Sequence, residues 1–438
     1  MRTIVALLIG CIAFGAQPDW PEVERYAVDL LQRYIRVESV NPPADTRESA
    51  ALIFKELEAA GLKPKLFPAG PEGRQVNVLA RLAGRDSSKK PLLLLNHQDV
   101  VPVDRKAWKM EPFGGIIRDG WIWGRGALDM KGIGVMHMVA LMTLKKAGIQ
   151  PSRDIVMLST SDEETNGTYG VVYMSRHHRG EIDAEYVLDE GGMGTRDLLV
   201  RNKLVFGISV GEKQSAWIRL RARGTAGHGS QPMADNANLT LLAAIQKAMA
   251  QPDSSRRHPV VEEMIVNAGP LEANKFTNAI QRNTMSLTTL RAGVGDPPKV
   301  NVIPSSSEAT IDCRLLPGVN AAEFVSEVRA RVNDPRVTVE LISTPEDPGP
   351  SSSHTPLLDA ISRVIRKHHP AAVVTPMLVP YGTDSVKLRK LGYTAYGLTP
   401  MILNAATLAT MHSDEERIPL AEFLKGVRIV YDLLQADF

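Results

Sequence analysis

Three short apolar runs in this chain each end in a knot of polar residues, and that pairing restricts the fold more than any other feature. PLLLLN (residues 91–96) leads into His97-Gln98-Asp99, DIVMLST (154–160) leads into Asp162-Glu163-Glu164, and AEYVLD (184–189) closes on Asp189-Glu190. An unbroken apolar run of this length suits a strand covered on both faces. Helical patterns lie between and around them. ESAALIFKELEAAG (48–61) and MKGIGVMHMVALMTLKKAG (130–148) carry apolar residues at helical spacing and stop at glycine, the second with lysines in its last turn. Buried strands alternating with helices predict an α/β layer around a mostly parallel sheet. IIRDGWIWG (116–124) adds a hairpin signal, an Asp-Gly turn between β-prone residues.

The pattern changes near Gly211. AWIRLRARG (216–224) alternates apolar and polar residues, as a strand with one solvated face does. NANLTLLAAIQKAMA, TMSLTTLRAG, SSEATIDCRLL, AAEFVSEVRARV and VTVELI follow in order. Together they spell β-α-β-β-α-β, a compact α+β unit. TPEDPGPSSS (344–353) reads as a linker, after which patterns of the first kind return in LLDAISRVIRKHH, GYTAYGL and LAEFLKGVRIVYDLL. The expected organisation is a larger α/β domain in two parts, residues 17–211 and 346–438, with the α+β unit inserted at 212–345. A chain of 438 residues is long enough for two cores.

Met1-Arg2, the apolar run TIVALLIGCIAFG and then Ala16 form a short positive start, a hydrophobic stretch and a small-residue end. This predicts a secretory signal over residues 1–16, and hence a secreted or periplasmic protein. The run is too short for an ordinary spanning helix. Leu8-Ile9-Gly10-Cys11 also resembles a lipoprotein processing site, so a membrane association is expected only if Cys11 is lipidated. With Cys11 and Cys313 the only cysteines, no disulfide framework is available. Lys plus Arg is 51 against 49 for Asp plus Glu, and basic clusters such as Arg256-Arg257-His258 are short. That charge balance excludes a nucleic-acid footprint, and no GxxxxGK[ST] phosphate loop occurs.

The polar knots carry the chemistry. In open α/β sheets the crevice beyond the carboxyl ends of the strands is where ligands bind. Asp129 opens a helix, and His412-Ser413-Asp414-Glu415 precedes the last one. Histidines and carboxylates without cysteine suit Zn²⁺ or a similar divalent ion. Asp129, Glu164 and Glu190 bring three negative charges; two divalent ions and a bridging hydroxide would leave that set neutral. Asp99, two residues after His97, is placed to accept the second imidazole N–H. Glu163 and Glu164 are neighbours and cannot share a role: one can bind metal while the other takes the proton of a water. Away from the knots, His137 is expected to be packed, Trp121 and Trp123 to pack the hairpin, and His177, His178, His368 and His369 to be solvated helix-end residues.

The motifs LLLLNHQDVVPVD (92–104), WGRGALDMKG (123–132), TSDEETNG (160–167), VLDEGG (187–192), GHGSQP (227–232), NVIP (301–304), DCR (312–314) and MHSDEE (411–416) stand in one order over nearly the whole chain. In that order they resemble the zinc metallopeptidases that include aminoacylase, acetylornithine deacetylase, succinyl-diaminopimelate desuccinylase, glutamate carboxypeptidase and carboxypeptidase S. The resemblance implies a three-layer αβα di-metal catalytic domain with the βαββαβ unit as a lid and dimerisation domain. It implies two Zn²⁺ per chain, replaceable by Co²⁺ or Mn²⁺. His97 would bind one ion, Asp129 both, Glu164 and His412 the second, and Glu190, or its neighbour Asp189, would complete the set. Asp99 would orient His97, and Glu163 would be the general base. His228 would reach the substrate carbonyl, often from the partner of a homodimer, and Arg314 with Asn301 would bind the substrate carboxylate. The implied substrates are N-acyl-amino acids or short peptides. The family pattern around Gly382-Thr383-Asp384-Ser385 usually continues with Arg, whereas Val386-Lys387 follows here. The alternative reading is a binding protein that keeps the fold without activity.

Overall fold

The computed structural model describes residues 17–250 and 257–438. The signal at 1–16, Cys11 and Arg256 lie outside the described residues. The larger sheet has eight strands. From one edge they are Lys65–Ala69, Gln75–Leu82, Ile155–Thr160, Leu92–His97, Tyr186–Arg196, Thr394–Ile402, Leu204–Glu212 and Val373–Val379. Alternate residues of its central strands enter different cores. Leu92, Leu94, Ile155 and Met157 pack on one face, Leu93, Leu95, Val156 and Leu158 on the other. Both faces are therefore dry, as the unbroken apolar runs predict, and helices cover each to give three layers.

The sheet is mixed, which corrects the expectation of a mostly parallel one. Leu92–His97 runs parallel to Ile155–Thr160 and to Tyr186–Arg196, but Gln75–Leu82 is antiparallel to Ile155–Thr160, and Thr394–Ile402 is antiparallel to Leu204–Glu212. The third apolar run does not end at Glu190: Tyr186–Arg196 continues past it and turns back to pair with Leu204–Glu212. Glycine permits the crowding there, since a Cβ on Gly192 would lie 2.3 Å from the carbonyl oxygen of Gly207.

The second sheet has four antiparallel strands in the order Thr284–Arg291, Ser306–Leu315, Gln214–Arg223, Val337–Leu341. Ala216, Ile218, Leu220 and Ala222 point into a separate core under helices Ala237–Met249 and Ala321–Val332, while Trp217, Arg221 and Arg223 face outward. The βαββαβ pattern is thus present, with one departure. Helices Pro259–Ala268 and Lys275–Gln281, which interrupt it, bury Val260, Val261, Met264 and Ile280 in the core of the larger sheet. The linker at 344–353 is pinned: Glu346 pairs with Lys387 at 2.6 Å and Lys390 at 3.0 Å.

The hairpin forms as expected, Ile116–Arg118 against Trp121–Trp123, with Arg417 over both indole rings. His137 is buried as expected, and burial pushes its pKa down to about 3. His369 corrects the helix-end expectation: it is buried against the Phe206 ring rather than solvated. His368 pairs with Asp432 at 2.7 Å.

Candidate active site

The polar knots converge at the carboxyl edge of the larger sheet. His97 is the last residue of Leu92–His97, Glu163 and Glu164 start a single 3₁₀ turn after Ile155–Thr160, and Glu190 lies within Tyr186–Arg196. Asp129 precedes helix Lys131–Lys146 across a cis peptide, and His412 sits in the turn before helix Leu420–Gln435 with a left-handed φ of 61°.

Asp129 lies at the centre. Its Oδ1 is 3.0 Å from His97 Nε2, and its Oδ2 is 3.0 Å from His412 Nε2. Glu190 Oε1 stands 3.8 Å from His97 Nε2, and Glu164 Oε1 stands 3.5 Å from His412 Nε2. Two ligand atoms on one tetrahedral zinc are about 3.3 Å apart, so both sets have the spacing of a metal shell with Asp129 common to them. Glu164 Oε1 is buried without a hydrogen bond among the described residues, as an atom reserved for an ion would be. Glu163 offers an oxygen within 4.8 Å of the ligand atoms of His97 and Glu190.

The charges make the same case. Burial, and then neighbouring carboxylates, raise Glu163 and Glu190 well above the ordinary range, and burial raises Glu164. Burial works against a charged His97, yet Asp129 and Asp99 hold its pKa well above the usual value, and the adjacent carboxylates of Asp129 and Glu164 take His412 up to about 10. Burial also works against a charged Asp129, but its hydrogen bonds to His412 and His97 pull it below the usual range. Four buried carboxylates thus share two imidazoles. Divalent cations would neutralise the excess, so the donor set fits them.

A buried frame holds these groups. Asp99 accepts from the backbone N–H of Glu163 and of Glu164, each at 3.1 Å, and from Asn41 Nδ2 at 2.7 Å. Its expected role is therefore modified: His97 Nδ1 donates to the Asp99 backbone carbonyl at 2.9 Å, while the nearer carboxylate oxygen is 3.6 Å away. The carboxylate instead fixes the turn carrying both glutamates. Asp189 is corrected as a ligand candidate. Neighbours on a strand face opposite ways, and Asp189 turns to accept from the backbone N–H and hydroxyl of Ser385 at 3.1 and 2.8 Å.

Sequence reasoning missed two positioning residues. Asn41 also donates to Asp162 at 3.0 Å and Thr165 at 2.9 Å. Glu416 accepts from the backbone N–H of Leu128 and Asp129 at 2.9 and 3.1 Å while paired at 2.6 Å with Arg125. The resulting clamp joins the Asp129 loop to the His412 loop. Glu416 lies inside the MHSDEE motif, so a signal for it existed; Asn41 had none.

Two cavities open from the cluster. A polar one of ≈ 630 Å³ is lined by Glu163 and Glu164 and, across from them, by Arg314, Lys213 and Trp217 of the second sheet and its approach. Arg314 is held by Asp312 at 2.9 and 3.2 Å. Burial and the Arg314 charge push Lys213 down to about 7. The other cavity, ≈ 660 Å³, is lined by Asp129, Glu163, Glu164, Glu190 and His412 and otherwise mainly by apolar side chains. His228 and Asn301 are not brought to the cluster within this chain. His228 is exposed on a two-residue ribbon against Val302 and bonded to Ser230, and the Asn301 carbonyl accepts from Gly229 beside it.

A ligand-rich cluster at the carboxyl edge of a three-layer sheet, with a second sheet over a shared cavity, is the layout that suits metal-assisted hydrolysis. The chain belongs to peptidase family M20/M25/M40, matched over residues 93–436. It is 28% identical to aminoacylase-1 of Homo sapiens over 422 residues, covering 95% of this chain and 96% of that one. It is also 28% identical to the probable carboxypeptidase S-like 2 of Dictyostelium discoideum over 410 residues, 84% and 77% of the two chains. In fold it is similar to the M20 family metallo-carboxypeptidase Sso-CP2 of Sulfolobus solfataricus, with a TM-score of 0.70, 18% identity and 94% and 98% coverage.

Proposed function

We propose that the protein is a zinc-dependent amidohydrolase, with two ions in one site, that cleaves the amide bond of N-acyl-amino acids or short peptides bearing a free carboxylate. One observation carries this reading: each oxygen of Asp129 lies 3.0 Å from a different histidine. His97, Asp129 and Glu190 would hold one ion, and His412, Asp129 and Glu164 the other. Bound ions would supply Lewis-acid polarisation of the scissile carbonyl and a water of lowered pKa. Glu163 would take a proton from the attacking water as its oxygen bonds the carbonyl carbon, and would return it to the nitrogen as the C–N bond breaks. Asp99 and Asn41 keep the Glu163–Thr165 turn in place. Arg314, which lines the cavity shared with Glu163, receives the substrate carboxylate.

His228 acts on the substrate carbonyl from the partner of a homodimer in this reading, with Asn301 beside it. The exposure of His228 supports that arrangement, because within its own chain its imidazole bonds only to Ser230 among the described residues. The expected signal at residues 1–16 supports a secreted or periplasmic location. The names of the human and Dictyostelium relatives agree with the substrate class. The test is turnover of a panel of N-acyl-amino acids and dipeptides, each beside its carboxyl-amidated analogue. Hydrolysis restricted to the free acids supports the reading; hydrolysis of none by zinc-loaded protein contradicts it.

A further inference from the structure

The apolar cavity has no part in the chemistry so far. It and the polar cavity have Glu163, Glu164, Tyr381 and Gly382 in common, so they meet where the scissile bond would lie. Arg314 is on the polar side, which places the leaving amino acid there and the acyl group on the other. Leu128, Ile133, Met193 and Leu403 form the buried floor of that other cavity, and Phe276 and Met411 stand at its half-buried rim. A space of ≈ 660 Å³ would be left mostly empty by an acetyl group. Phe276 belongs to helix Lys275–Gln281, the segment that leaves the small unit to pack on the larger core. The same body that carries the cluster therefore carries this wall.

We infer that this cavity is an acyl chamber, fitted to substrates whose nitrogen is blocked by an apolar acyl chain longer than acetyl. The inference rests on the amide hydrolysis proposed above and selects among its substrates. A dipeptide with a free N-terminus would place an ammonium in the chamber. The carboxylates in the chamber wall are Asp129, Glu163, Glu164 and Glu190, each already assigned to metal or to the proton of water. An ammonium there would lose its hydration without gaining a counter-charge of its own, and Lys275 in the same wall adds a like charge. A hydrocarbon chain meets no such cost and gains by burial.

The experiment compares kcat/KM for N-acetyl, N-butanoyl, N-hexanoyl and N-octanoyl forms of one amino acid, and for a dipeptide of that amino acid, on the zinc-loaded enzyme. The rate should rise about 4-fold per added methylene until the chamber is filled, with the free dipeptide lowest. Phe276→Asp should cut the octanoyl rate about 10-fold or more relative to the acetyl rate. Inhibition by acetate, hexanoate and octanoate, which are products of the acyl side, reads the chamber on the unaltered enzyme and should tighten with length. A flat or falling series with N-acetyl turnover intact, or a dipeptide faster than the acyl series, overturns the chamber alone. No turnover of any amide overturns it together with the proposed activity.

Discussion

His97 and His228 are both histidines at the end of a β-strand, yet they are held in opposite ways. His97 is 2% exposed and fixed from two sides, by the Asp99 carbonyl and by Asp129. His228 is exposed, and its ring is fixed by Ser230 alone among the described residues. The contrast extends to the walls that carry them. On the larger sheet, Asn41, Asp99, Arg125 and Glu416 form a dry frame whose members brace the ligand-bearing loops. On the second sheet, the Arg314 guanidinium has a single hydrogen-bond partner, Asp312, among the described residues and stands half-buried at a cavity. Groups that share charge at 3.0 Å need rigid placement, because a small displacement changes their interaction greatly. Groups that receive substrate need access. In the proposed reading the first wall serves the reaction and the second chooses what reacts.

Changes on the first wall should act on rate. Glu163→Gln keeps the shape of the side chain but cannot take a proton, and kcat should fall by about 10²–10⁴ while metal content stays unchanged. Loss of metal in that variant, with retention in Glu164→Gln, would reverse the two glutamates. Changes on the second wall should be separable from the first across subunits. Inactive Glu163→Gln and His228→Ala chains, mixed under conditions of exchange, should regain about a quarter of wild-type activity, since half the dimers are mixed and one site in each has both groups. Continued inactivity of proven mixed dimers would place His228 in its own chain's site or outside the chemistry. Arg314→Ala should weaken free-acid substrates about 10–150-fold more than their amide analogues, the worth of one charge-assisted contact. Equal losses would make Arg314 structural.

The smallest effect concerns the dry wall itself. Burial holds His137 neutral, with its pKa lowered to about 3 from its ordinary value of 6.5. The unfolded chain takes up a proton there below about pH 6.5 and the folded chain does not. Stability should therefore fall with acidification by about 1.4 kcal/mol per pH unit, from about pH 6.5 toward pH 3. Between pH 7 and 5 the loss is about 2 kcal/mol. Urea denaturation at both values should show the wild type losing about 2 kcal/mol more than His137→Gln between them.

Much of the first wall is legible in sequence. Dry strands advertise themselves as apolar runs, and charged residues at their ends have few reasons to be there other than a site. Strand direction is not legible, because the reversal of Gln75–Leu82 against Ile155–Thr160 depends on partners far apart in the chain. The return of helices Pro259–Ala268 and Lys275–Gln281 to the larger core is hidden for a related reason: Val260, Val261 and Met264 would suit either core. Asn41 reaches Asp99 and Asp162 across long separations and carries no charge to mark it. Asp189 and Glu190 are equal in sequence; the strand alternation that turns one to Ser385 and the other to His97 separates them.

The central claim is that Asp129 is shared by two ions. Metal-free protein titrated with zinc, with elemental analysis and hydrolysis of an N-acyl-amino acid followed together, tests it most directly. The account predicts uptake of two ions per chain and activity that reaches its full value only at the second. Full activity in metal-free protein, or saturation of both uptake and activity at one ion, would contradict it.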